Sequence, residues 1–237
     1  MNTFQGKVVM ITGAAGNLGS AVARAFQKNE AHLVLVDHKE DRLAEMYPEW
    51  AESPEHHLAP GVDLTDQDSV RDAVQKALDR LGQIDVLVNT VGGFTMGSAV
   101  HETELATWEQ MMNLNARSVL TSAKAVVPHM LEAGSGRIIT IGARTSLEGK
   151  PRMGAYSAAK AAVLSLTESM SAELKSENIN VNCVLPGTID TPPNRAAMPN
   201  ANVEKWVTPE SLAEVIMFLA SDAARDIHGV AVPVFGK

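Results

Sequence analysis

Lys7-Val8-Val9-Met10-Ile11-Thr12-Gly13-Ala14-Ala15-Gly16-Asn17-Leu18-Gly19 runs from an apolar segment into a cluster of glycines. A short, continuously apolar run fits a strand buried on both faces. It ends in a cluster of glycines, and helical apolar spacing begins at once over 18–28. The glycines therefore stand at a strand-to-helix turn. Backbone amides and a helix N-terminus can face a pyrophosphate there, and small residues let the backbone approach it closely. The spacing is G-x-x-G-x-x-G, not G-x-G-x-x-G. A glycine cluster alone reads equally well as a tight turn without a ligand. The strand before it and the helix after it favour a nucleotide.

The alternation continues along the chain. Apolar runs recur at 33–36, 84–89, 137–141, 179–184 and 230–234, with a weaker one at 57–62. Helical spacing fills 69–81, 107–131, 155–175 and 209–219. Strands alternating with helices predict crossover units and a parallel sheet. The expected fold is α/β: a Rossmann-type, doubly wound parallel sheet of about seven strands with helices on both faces. No Pro/Gly/Ser-rich linker divides the chain, so residues 1–237 read as one domain. Residues 187–205 lack periodicity and hold three prolines, which predicts a loop on the substrate side.

Composition narrows the function. Apolar residues make up 45% and charged residues 20%, as in ordinary globular proteins. The net charge of -8, with no basic stripe, speaks against nucleic acid. No apolar run approaches a membrane span. The first ten residues lack the basic start and long apolar core of a secretory leader, so a cytoplasmic location is expected. Cys183 is the only cysteine, which excludes an intrachain disulfide; inside an apolar run it reads as a small buried hydrophobe. His56 and His57 are adjacent and read as solvated loop histidines; no zinc spacing is present and no metal is expected.

Asp37 follows the second strand, eighteen residues after Gly19. A carboxylate there accepts hydrogen bonds from ribose hydroxyls and repels a 2′-phosphate, predicting NAD(H) over NADP(H). The basic neighbours His38, Lys39 and Arg42 leave NADP(H) open, and a solvated loop aspartate is the plain alternative. Farther on, Gly154-Ala155-Tyr156-Ser157-Ala158-Ala159-Lys160 opens a helix. Residues i and i+4 share a face, so the phenol and the ammonium project together. A nearby ammonium is expected to lower the tyrosine pKa toward working pH. That suits a phenol trading a proton while hydride moves. Y-x-x-x-K alone is commonly structural; the glycine turn upstream gives it weight.

Together, TGAAGNLG (12–19), Asp37, Asp63-Leu64, IDVLVNTVG (84–92), Asn115, YSAAK (156–160) and INVNCVLPGTIDT (179–191) resemble the short-chain dehydrogenase/reductase family over nearly the whole chain. The resemblance implies a nicotinamide cofactor and a small-molecule substrate. It implies that Gly13, Gly16, Asn17, Leu18 and Gly19 cradle the cofactor and that Asp63 and Leu64 bracket its adenine. Asn89 begins the segment matching the family's N-N-A-G, ending at Gly92. Asn115 falls where a helix asparagine holds a water of the proton relay; Asn113 fits the spacing less well. Pro186, Gly187 and Ile189 would contact the nicotinamide end. Tyr156, Lys160 and Asn115 are the implied catalytic residues, and a homo-oligomer, tetramer or dimer, would form through helices 107–131 and 155–175.

The departures are as informative. Asn17 replaces the middle glycine, and asparagine tolerates positive φ better than most residues. Thr90 replaces the second asparagine of N-N-A-G. The catalytic serine belongs thirteen residues before the tyrosine, and Ala143 stands there. Losing one such donor to a developing oxyanion typically costs about 2.7–4 kcal/mol of barrier. Thr145 or Ser146 would need a shifted backbone to replace it. The dihydropteridine reductase branch resembles this chain in lacking that serine and in the segment from Asp190 to Trp206. Hydride transfer into a conjugated C=N system needs less oxyanion stabilisation.

Met96, Met153, Met198 and Trp206 are candidates for an apolar substrate pocket, with ordinary packing as the equal alternative. Arg144, Arg152 and Arg195 lie in the same loops as candidate recognisers of a polar or acidic substrate. Three functions follow: an NADH-dependent reductase of a small carbonyl, imine or conjugated heterocycle; a conventional alcohol or 3-oxoacyl dehydrogenase; or a non-catalytic NAD-binding sensor.

Overall fold

The computed structural model describes residues 4–237. Seven strands form one sheet in which every pairing is parallel: β1 (Val8–Thr12), β2 (His32–Val36), β3 (His56–Ala59), β4 (Val86–Asn89), β5 (Gly136–Ile141), β6 (Ile179–Pro186) and β7 (Ala231–Val234). Their order is β3-β2-β1-β4-β5-β6-β7. The order of the strands reverses between β1 and β4, a topological switch point that opens a crevice at the strands' C-terminal ends.

Side chains alternate between faces along each strand. Val9 and Ile11 pack under α1 (Asn17–Gln27) and α9 (Pro209–Ala220). Val8 and Met10 share the opposite face with residues of α4 (Gln67–Leu81), α6 (Ser118–Ala133) and α7 (Gly154–Leu174). With apolar layers on both sides, the central strands β1 and β4 are buried along their whole length. No helix is long and apolar enough to cross a membrane among the described residues.

Three differences from the sequence reading bear on the site. Short helices α2 (Arg42–Met46) and α3 (Pro48–Ala51) fill the β2–β3 connection, and α8 (Pro192–Ala197) lies inside 187–205; elements of one turn carry too few residues for a periodicity. The helix expected over 107–131 is α5 (Leu105–Met112) and α6 joined by a π-turn, Asn113–Arg117. There Asn115 Nδ2 donates to the Met111 carbonyl at 2.9 Å, taking an acceptor from the helical ladder. Ser118 donates its amide to the Asn113 carbonyl, five residues back.

The third difference concerns the histidines. The weak strand lies at His56–Ala59, not 57–62, and His56 is buried, not solvated. Its Nδ1 accepts the Leu33 amide at 3.1 Å, and its ring lies 5.2 Å from that of Trp50. Burial pushes the pKa of His56 and of His57 below the ordinary 6.5. The unfolded chain therefore takes up protons at these rings that the folded chain refuses. Their stabilising contribution is full above pH 6.5 and declines as pH falls toward the depressed folded values. Urea midpoints are expected to drop between pH 7.5 and 5, and His56→Gln should flatten that slope; an unchanged slope would remove His56 from this account.

Candidate active site

The glycine turn joins β1 to α1. Gly13 has φ +67°, a left-handed conformation suited to glycine. A Cβ at Gly19 would run into the Gly13 carbonyl oxygen. Asn17 is the first residue of α1 and is not among the positive-φ residues, so the tolerance invoked for it is not needed. The first α1 amide to find a helical acceptor is that of Ser20, which donates to the Gly16 carbonyl at 2.9 Å. The amides of Asn17, Leu18 and Gly19 precede it, and no side chain caps this end. An uncapped helix start beside a glycine turn fits a pyrophosphate.

Asp37 is buried at the end of β2. One carboxylate oxygen accepts the Ala15 amide at 3.0 Å; the other accepts the Lys39 amide at 3.2 Å and lies 3.2 Å from His38 Nδ1. Asp63 is exposed and turned into its own loop, where hydrogen bonds from the Thr65 amide and hydroxyl, both 2.8 Å, hold its carboxyl below the usual range. Leu64 is buried beside it, and its carbonyl accepts from Thr121.

Asn89 ends β4 opposite Thr12. Both of its side-chain polar atoms are buried without a partner, as is the Thr12 hydroxyl. Thr90, the departure from N-N-A-G, donates to the Thr12 carbonyl at 2.6 Å and so ties the β4 loop to the glycine turn. Asn115 is fully buried. Besides Met111, its Nδ2 donates to the Gly93 carbonyl at 3.1 Å, and its Oδ1 accepts the Gly93 amide at 3.2 Å. A methyl group added at Gly92 would sit 2.8 Å from Asn115 Oδ1 and 3.1 Å from Lys160 Nζ. Gly92, Asn115 and Lys160 therefore meet at one point.

Tyr156 and Lys160 occupy the first two turns of α7. Lys160 is buried; its Nζ donates to the Ile141 carbonyl at 2.8 Å, and burial pushes its pKa down to about 8. The Tyr156 phenol is pushed up to about 12, also by burial. This reverses the expected direction. Burial is the cause of the upward shift, and the Lys160 ammonium is engaged by the Ile141 carbonyl. Phe94 packs edge-on against the Tyr156 ring at 5.0 Å while remaining 60% exposed.

Ala143 is buried beyond the end of β5 and brings no hydroxyl. The Ser146 hydroxyl accepts the Ala143 amide at 3.0 Å and donates to the Lys160 carbonyl at 2.9 Å, so it braces the loop against α7. The Thr145 hydroxyl is buried without a partner.

On the substrate side, Pro186 ends β6, Gly187 donates its amide to Val234 at 2.9 Å, and Ile189 pairs with Val207. Met96 and Met198 are exposed, whereas Met153 and Trp206 are half-buried. The three arginines divide. Asp190 grips Arg195 with both oxygens, Arg144 lies 5.1 Å over the Phe235 ring, and Arg152 lines a pocket of about 120 Å³ with Met96, Glu104 and Met153. Phe94 and Tyr47 are absent from the sequence reading. Phe94 has a signal, an aromatic directly after Gly92-Gly93; Tyr47 has none.

The model of the short chain dehydrogenase family matches residues 7–202. The chain is 32% identical to the 3-oxoacyl-[acyl-carrier-protein] reductase FabG of Thermotoga maritima over 98% of both chains. It is 33% identical to the cis-4-hydroxycyclohexanecarboxylate dehydrogenase of Sinomonas cyclohexanicum over 98% of this chain and 96% of that one. The crystal structure of carveol dehydrogenase from Mycobacterium avium in complex with NAD superposes with a TM-score of 0.88 at 26% identity, covering 99% of this chain and 98% of that one.

Proposed function

The chain belongs to the short-chain dehydrogenase/reductase family, and on that premise we propose that it is an NAD(H)-preferring reductase of a small carbonyl, imine or conjugated heterocycle, a dihydropteridine-like ring among the candidates. A nicotinamide cofactor supplies hydride when bound. The glycine turn, Asp37, Asp63, Leu64, Asn89, Gly92, Lys160 and the 186–189 segment are the residues that would hold it. Tyr156 gives the proton to the substrate, Lys160 supplies charge beside it, and Asn115 supports the proton relay by fixing the Gly92–Gly93 backbone beside Lys160.

Ala143 carries the reading. With Ser146 engaged on both sides, no serine hydroxyl stands ready for a ketone oxyanion. Reduction of a conjugated C=N spreads charge through a ring and asks less of such a donor. Burial keeps the Tyr156 phenol protonated at neutral pH, and charge from Lys160 is what would bring its acidity toward the working range. The buried Asp37 carboxylate supports NADH, with NADPH as the second-choice cofactor. Leu105, Trp108, Leu120 and Leu131, all exposed along α5–α6, support a homo-oligomer, tetramer or dimer, built on these helices together with α7. A cytoplasmic location belongs to the same reading.

The names of the relatives favour a second reading, a conventional alcohol or 3-oxoacyl dehydrogenase. NADH consumption over a panel of quinonoid dihydropterin, cyclic imine, ketone and 3-oxoacyl thioester separates the two. The proposal expects the C=N substrates to be fastest, and NADH to outperform NADPH. Faster turnover of ketone or thioester would establish the second reading. Tight NADH binding with silence across the panel would leave a non-catalytic sensor.

A further inference from the structure

We propose that Tyr47 is a positioning residue for the cofactor turn, acting through the Ala14–Ala15 peptide on Asp37 and sharpening discrimination between NADH and NADPH. The inference rests on the reading of Asp37 as the ribose ligand. Tyr47 is fully buried between α2 and α3. Its hydroxyl donates to the Ala14 carbonyl at 2.7 Å. The N–H at the other end of that peptide, on Ala15, donates to Asp37 Oδ2 at 3.0 Å. One peptide group of the glycine turn is thus gripped at both ends, by a phenol on its oxygen and a carboxylate on its nitrogen. The grip sets the plane of the turn and the aim of the carboxylate together.

The phenol is itself held firmly. Trp50 stacks on its ring at 4.6 Å with an interplanar angle of 8°. Arg24, on the helix that leaves the glycine turn, lies 5.5 Å over the Tyr47 ring and 5.9 Å over that of Trp50. Burial pushes the Tyr47 pKa up to about 12, so its O–H remains a donor throughout the working range. The Ala14 carbonyl accepts no other hydrogen bond among the described residues. Removing the hydroxyl orphans a buried acceptor. The peptide is then free to turn, and Asp37 loses the reference that orients it toward a ribose and against a 2′-phosphate.

Tyr47→Phe keeps the stacked ring and deletes only the oxygen. NADH and NADPH dissociation constants are measured by nucleotide fluorescence, together with kcat at saturating NADH. The variant is expected to bind NADH about three- to tenfold more weakly, the range of one hydrogen bond. NADPH binding should change less, so the preference narrows while kcat holds. Trp50→Phe, which removes packing and keeps the hydroxyl, should lower Tm without moving the NADH/NADPH ratio. A Tyr47→Phe protein with lower Tm but both constants unchanged, or both weakened equally, would overturn the positioning role. A wild-type protein that binds neither nucleotide would overturn the nicotinamide reading and this inference with it; normal wild-type binding with an unaltered variant sinks Tyr47 alone.

Discussion

Tyr156→Phe is expected to lose about 10²–10⁴-fold in kcat, the usual contribution of a positioned acid or base, while NADH still binds. The change is clean because the ring stays. The substituted ring would keep the edge-on contact that Tyr156 makes with Phe94 at 5.0 Å, so only the proton source leaves. Thermal denaturation with and without NADH checks that the fold and cofactor site survive, and steady-state kinetics reads the loss. The pH profile tests the same chemistry. Lys160, buried and pushed down to about 8, gives up its proton as pH rises through that value. The charge that stabilises a developing phenolate disappears with it. The wild-type kcat/KM for reduction should therefore be level below pH 8 and fall above it. Full turnover in the variant would remove Tyr156 from the reaction.

The fold was legible because its evidence is local and repeated. Central strands such as Val8–Thr12 and Val86–Asn89 are apolar runs buried along their whole length, as a sheet covered on both faces requires. The glycine turn, Asp37 and the Tyr156–Lys160 pair were legible for a similar reason: their spacing matches a strand-to-helix turn and a helix face. What escaped the sequence are contacts between distant residues that follow no period. Asn115 acts through the carbonyls of Met111 and Gly93 and produces a π-turn, which apolar spacing does not encode. His56 reads as polar, yet it replaces a backbone acceptor for Leu33 under a tryptophan. Tyr47 lies in a segment too short for periodicity and reaches the turn only through tertiary packing. The tyrosine pKa departs from the sequence expectation because i, i+4 geometry brings the ammonium near but does not tell where it points. It points to Ile141, and burial then decides the direction.

Ala143→Ser carries the second large effect, and its value lies in comparing two substrates. Ala143 is 7% exposed in extended backbone, with φ -160° and ψ 166°, a conformation serine adopts without strain. The new hydroxyl would stand at the position from which the family's serine donates to a substrate oxygen. One oxyanion donor is worth about 10²–10³-fold in rate. Ketone reduction by the variant should rise toward that range, less whatever is lost if Ser146, whose hydroxyl already accepts the Ala143 amide, draws the new group inward. On quinonoid dihydropterin or a cyclic imine the same substitution should change kcat little, since no single oxygen gathers the charge. A large gain on ketones with a flat response on C=N substrates means that the native reaction proceeds without the donor. Equal gains on both mean that the alanine cripples an ordinary carbonyl site, and the dihydropteridine-like reading fails. No gain on either means that a hydroxyl at position 143 does not reach the substrate oxygen, and the barrier to ketones then lies in how the substrate is seated, not in a missing donor.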